Sequence, residues 1–299
     1  MSQEPRFGRM IPAMVTPFDQ DRELDLDRTQ ELAVRLVDGG SDALIISGTT
    51  GESPTVFYPQ KMKLFAAVVE AVGDRAPVIA NVGDNCTADT ADFARDVEKL
   101  GVDGFMCVVP YYSKPPQEGL YQHFRTIAEA VELPIVLYNI PGRCVVNMEA
   151  ETTLRLAREF SNIVAVKEAS GKMDQVKAIV DGAPEGFCVY SGDDSATLDV
   201  MRRGGVGVIS TIGNVAPARM KEIVDLCAAG DWEAAAAANE ALMPLMKGLF
   251  ETSNPILVKE ALKLLGFPVG GVRLPLVDAT PAQSERLAAI MREVGVLDA

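Results

Sequence analysis

Eight short apolar runs, separated by longer amphipathic stretches, leave this chain few folds to choose from. They are MIPAMV (10–15), ALIISG (43–48), PVIANVG (77–83), GFMCVVP (104–110), PIVLYNIP (134–141), IVAVKEA (163–169), FCVYSG (187–192) and GVGVIS (205–210). Strand-length runs alternating with helical patterns indicate repeated βα units and a parallel sheet. Their near-continuous apolar character suits strands covered on both faces. The gaps carry helix signals. DLDRTQELAVRLVDGG has acidic residues in its first turn and ends on Gly39 and Gly40, and TADTADFARDVEKLGVDG and TLDVMRRGG repeat that design. After the eighth run everything to Ala299 reads as helix and turn, including a five-alanine stretch of high helix propensity. The expected architecture is α/β: a (β/α)8 TIM barrel over residues 1–230, followed by a helical C-terminal extension over 231–299. A barrel of this kind runs to about 250 residues as one unit. A doubly wound open sheet with eight strands is the alternative.

Composition removes several classes of function. The formal net charge of −14 argues against nucleic acid or an anionic membrane as partner, since both need a basic surface. No stretch approaches the ~18 unbroken apolar residues of a membrane span, and MSQEPRFGRM lacks the apolar core of a signal peptide. A soluble, cytoplasmic protein is expected. The five cysteines are scattered without a C-x-x-C pair, and Cys107 and Cys188 sit inside apolar runs, so they read as small core residues rather than metal ligands. The single histidine, His123, falls in a helical pattern as a surface or packing residue. With no histidine for a triad or a metal, acid–base work falls to Tyr, Thr, Lys or carboxylates, and neither metal nor cofactor is expected.

In such barrels the chemistry sits at the C-terminal ends of the strands. Those ends hold Thr16, SGTTGES (47–53), GDN (83–85), PYYSKPP (110–116), YNIPGR (138–143), KEASG (167–171), SGDDS (191–195) and STIGN (210–214). Side chains alternate along a strand, so Ile163, Ala165, Lys167 and Ala169 share one face while Val164, Val166 and Glu168 share the other. If the small residues point inward, Lys167 does too, and the same parity lets Tyr138 project into one cavity with it. An amine in apolar surroundings loses its charge more readily, and the neutral amine is the nucleophile that forms Schiff bases. The plainer reading is a lysine that ends a strand and pairs with Glu168 or solvent; the nearby tyrosines and threonines favour the chemical one. Lys114, Lys172 and Lys259 lie in loops or helical patterns, where solvated charges are expected. SGTTGES could hold a small carboxylate through hydroxyl and backbone N–H donors, or could simply be a capped turn. Arg143 suits bidentate carboxylate binding. SGDDSATL reads as a helix cap with acidic first-turn residues rather than a metal pair, and GGVGV lacks the spacing of a phosphate loop.

Taken together, GTTGES, PYYSKPPQEGLYQHF, LYNIPGR, VKEASG, SGDD and NPILVKEALKLLG resemble the dihydrodipicolinate synthase family from about residue 10 to RLPL at 273–276. These are pyruvate-dependent, class I aldolase-type enzymes of lysine biosynthesis. The resemblance implies that Lys167 forms a Schiff base with pyruvate, and that Tyr138, Thr49 and Tyr112 relay protons, with Tyr112 reaching into a neighbouring subunit. It also implies that Thr49 and Thr50 hold the pyruvate carboxylate, that Arg143 receives aspartate 4-semialdehyde, and that Gly192 and Ile209 line the pocket. A homo-oligomer, at least a dimer and commonly a dimer of dimers, follows from the same likeness. Related families that keep the Schiff base but change the aldehyde, N-acetylneuraminate lyase and sugar-acid aldolases, are the alternative, and a non-catalytic keto-acid sensor is a more distant one. At the effector site of lysine-inhibited members, Asn85 and Tyr111 match. Tyr58 and Lys61 replace histidines there, Pro54 replaces a small residue and Asp89 a glutamate, so weak or absent inhibition by lysine is expected.

Overall fold

The computed structural model describes residues 5–298. All eight apolar runs form strands: β1 (Met10–Pro12), β2 (Leu44–Ile46), β3 (Val78–Asn81), β4 (Gly104–Val108), β5 (Ile135–Asn139), β6 (Ile163–Glu168), β7 (Cys188–Ser191) and β8 (Gly207–Ser210). Each pairs in parallel with its neighbour in the order β1-β8-β7-β6-β5-β4-β3-β2. A parallel bridge between Ala13 and Ile45 joins the ends of that order, so the sheet closes on itself as a (β/α)8 barrel. The open-sheet alternative is thereby excluded.

Period-two alternation sorts the strand residues into two cores. Ile11, Ala13, Ile45, Ile79, Met106, Val136, Tyr138, Ala165, Tyr190 and Ile209 fill the barrel interior. The alternate set, among them Met10, Leu44, Phe105, Leu137 and Val166, packs outward against the helices. Helix Leu26–Asp38 starts with Asp25 capping the Arg28 amide and stops at Gly39. The long helical pattern after β8 is two helices, Pro217–Ala229 and Trp232–Gly248, because Gly230 takes φ 80 and Asp231 caps the second. Helices Ile256–Leu264 and Pro281–Glu293 follow.

Three expectations need correction here. Lys259 is not solvated: its side chain is 2% exposed and pairs with the equally buried Glu52 at 2.6 Å. A helical pattern cannot tell an outward lysine from one whose stem crosses the core to a buried acid. Asp193 does cap the Ser195 amide, but Asp194 is no first-turn surface acid. It is buried, accepting from the Ser210 hydroxyl at 2.6 Å and from the Thr211 and Ile212 amides at 2.9 Å. Cys107 is a core residue as expected, whereas Cys188 is only half-buried. His123 is a packing residue, bonded to the Thr87 hydroxyl at 2.9 Å and set edge-on against Phe124.

Candidate active site

The strand parity has its consequence at the C-terminal mouth of the barrel. Lys167 is 5% exposed, and register places it between Tyr138 of β5 and Tyr190 of β7. Its Nζ lies 4.4 Å from the centre of the Tyr138 ring and has no hydrogen-bond partner among the described residues. Burial lowers its pKa from 10.5 to about 8, with the Asp194 carboxylate opposing and Arg143 assisting the shift. Glu168 points the other way. Its carboxylate accepts from Asn139, the Ser170 amide and Gln175, so it braces the loop after β6.

The two tyrosines beside Lys167 differ in what their hydroxyls do. Tyr190 donates to the Gly8 carbonyl at 2.8 Å, so its hydroxyl is engaged at the far side of the barrel. Burial raises the Tyr138 pKa to about 12, partly offset by the neighbouring Thr49 hydroxyl and by Arg143. Tyr138 therefore keeps its proton near neutrality and can lend it and take it back through Thr49.

The threonine loop is tightly built. Ser47 and Glu52 both take positive φ, 58° and 55°, conformations that cost non-glycine residues about 1 kcal/mol or more and collect at functional sites. The loop is held by Thr16, whose hydroxyl donates to the Gly51 carbonyl, and by Asn81, which donates to the Ser47 carbonyl. A Cβ on Gly51 would lie 2.9 Å from the Ser47 Cα, so the turn needs glycine there.

A cavity of about 650 Å³ opens above these residues. It gathers Thr49, Tyr138 and Arg143 together with Pro54, Tyr58, Lys61, Asp89 and Tyr111, so the inner site and most of the candidate effector residues share one continuous space. Asn85 is exposed and outside the lining, and Lys167, Thr50, Gly192 and Ile209 are not part of the lining either. Tyr111 donates to Asp84 at 3.0 Å, and burial raises its pKa to about 12. Lys61 lies 5.7 Å over the Phe93 ring, and burial lowers its pKa. Tyr112 does not join its own chain's site: it is 89% exposed with φ 71°. Reasoning from sequence missed Asp194, Glu52, Asn254 and Lys259 as supports of this mouth; all four stood in motifs already singled out, but nothing local marked them as buried.

A closed parallel barrel with a desolvated lysine amine at its mouth is the architecture of class I aldolase-type lyases. Residues 6–294 match the model of the dihydrodipicolinate synthetase family, and the chain belongs to that family. A curated 4-hydroxy-tetrahydrodipicolinate synthase from Moorella thermoacetica is 56% identical over 292 residues, covering 98% of this chain and all of the relative. Among solved structures, dihydrodipicolinate synthase from Cyanidioschyzon merolae with lysine bound superposes with TM-score 0.97 at 43% identity, over 98% of this chain and all of the other. The chloride-inhibited enzyme from Acinetobacter baumannii complexed with pyruvate gives TM-score 0.94 at 37% identity, over 97% of this chain and all of the other.

Proposed function

We infer that this protein is a lyase that condenses pyruvate with aspartate 4-semialdehyde to give 4-hydroxy-tetrahydrodipicolinate, on the path to diaminopimelate and lysine. The observation that carries the reading is the buried Lys167 amine with its pKa lowered to about 8, in a chain of this family. The neutral amine attacks the keto carbon of pyruvate and water leaves, forming an imine. Loss of a methyl proton gives an enamine, whose carbon bonds to the aldehyde carbon of the semialdehyde. The amino group of the semialdehyde then displaces Lys167 from the imine carbon, closing the ring and freeing the enzyme. Tyr138 and Thr49 move the protons, Thr49 and Thr50 hold the keto-acid carboxylate, Arg143 meets the second carboxylate, and Gly192 and Ile209 shape the floor. Tyr112 completes the relay from a partner subunit of a homodimer or dimer of dimers. Its 89% exposure and left-handed backbone support that placement, since neither is repaid within its own chain. Among the described residues no helix is long and apolar enough to cross a membrane, and a cytoplasmic location is part of the same proposal.

The substrate pair is tested by assaying condensation with aspartate 4-semialdehyde beside cleavage of sialic acid and of 2-keto-3-deoxygluconate. Only the condensation should be fast; efficient cleavage of either sugar acid would replace this reading with that of the related aldolases. Gly192 offers a sharper geometric test. A Cβ there would lie 2.6 Å from the Ala169 Cβ and 3.2 Å from the Lys167 Cγ. Gly192→Ala should therefore cut kcat/KM for pyruvate by roughly 100-fold by displacing the amine, and kinetics within twofold of the wild type would refute the placement. In the outer cavity a cationic Lys61 opposes a bound lysine ammonium. Millimolar lysine should leave activity nearly unchanged, and halved activity would contradict that.

A further inference from the structure

The segment leading into helix Ile256–Leu264 holds the threonine loop at two points. Asn254 donates its amide to the Thr50 hydroxyl oxygen at 2.9 Å, a buried bond between residues 204 positions apart. Five residues on, Lys259 reaches Glu52, and it also donates to the Gly271 carbonyl at 2.8 Å. The Arg273 amide caps the other Glu52 oxygen at 2.8 Å. The loop end is thus rigid, and Asn254 addresses one hydroxyl within it.

A threonine hydroxyl has one proton and two lone pairs. With the Asn254 amide donating into one lone pair, the Thr50 proton has no acceptor among the described residues and is left for an incoming anion. We propose that Asn254 is a positioning residue for the keto-acid site, fixing Thr50 as a donor toward the substrate carboxylate. The proposal rests on the reading of Thr50 as a carboxylate holder. The bonding of Asn254 itself supports a functional role. The residue is 7% exposed, and its side-chain carbonyl oxygen has no partner among the described residues. A buried amide that makes one of its four possible hydrogen bonds gives little stability, and among the described residues Thr50 is the one group it serves.

The test combines a double-mutant cycle with borohydride trapping. Asn254→Leu keeps the approximate size and removes the donor, and Asn254→Asp keeps the shape and turns donor into acceptor. Each should raise KM and the half-saturating pyruvate concentration for trapping about tenfold or more, with kcat little changed. The melting temperature of Asn254→Leu should move by less than about 3 °C. Because the effect passes through Thr50, adding Asn254→Leu to Thr50→Val should cost almost nothing further. Half-saturation within twofold of wild type in both variants, or an undiminished effect in the Thr50→Val background, would overturn the proposal. Absence of any adduct in the wild-type protein would instead overturn the Schiff-base reading on which it stands.

Discussion

Lys167→Ala should lower condensation by about 1,000-fold or more, roughly 4 kcal/mol of transition-state stabilisation at 1.36 kcal/mol per decade, while leaving the fold intact. Removing an amine whose charge is already disfavoured by burial opens no unpaired charge elsewhere, so stability should hold or rise. The same amine sets the pH dependence. With its pKa lowered to about 8, about one chain in ten carries neutral Lys167 at pH 7, against about one in three thousand for a lysine left at 10.5. Below about pH 8 the pyruvate kcat/KM should fall nearly tenfold per unit, and above it the profile should level. A profile that keeps climbing to pH 10 would mean that burial does not tune this group.

Lys259→Met should destabilise the protein by about 3–5 kcal/mol, because it strands the Glu52 carboxylate, 1% exposed, with the Arg273 amide as its main remaining donor. That corresponds to a fall of roughly 10 °C in melting temperature. Lys259→Met combined with Glu52→Gln removes the stranded charge and should recover at least half the loss. Denaturant titration of the three proteins checks this, and a single-variant loss under 1 kcal/mol would show that the pair is not the anchor of the loop. Lys259 is also a useful contrast, since burial lowers its pKa to about 8 as well. Its ammonium is held by Glu52, by the Gly271 carbonyl and over the Phe18 ring, so a low pKa alone does not make a nucleophile. Lys167 differs in having no carboxylate or carbonyl bonded to its nitrogen among the described residues, and in lying against Tyr138, which lines the cavity.

What the chain revealed by itself follows physical range. Strands and their inward faces were legible because alternation is local: Ala165 and Lys167 share a face whatever the partner strands are, and Glu168 must face away. The loops at the mouth were legible because barrel chemistry collects at strand ends. Bonds between distant positions were not, since nothing near Asn254 signals Thr50 and nothing near Lys259 signals Glu52. Asp194 misled for a related reason. Next to a helix start an acid reads as a cap, and its turn toward the β8 amides depends on how β7 and β8 sit together. Tyr112 shows the reverse case, a residue that stands at a strand end in sequence yet is 89% exposed in the fold.

The most direct test is borohydride reduction in the presence of pyruvate, followed by peptide mass mapping. One reduced adduct per chain, on Lys167 and absent from Lys167→Ala, is the predicted result. No adduct, or an adduct on Lys259 or any other lysine, would contradict the assignment of Lys167 as the nucleophile.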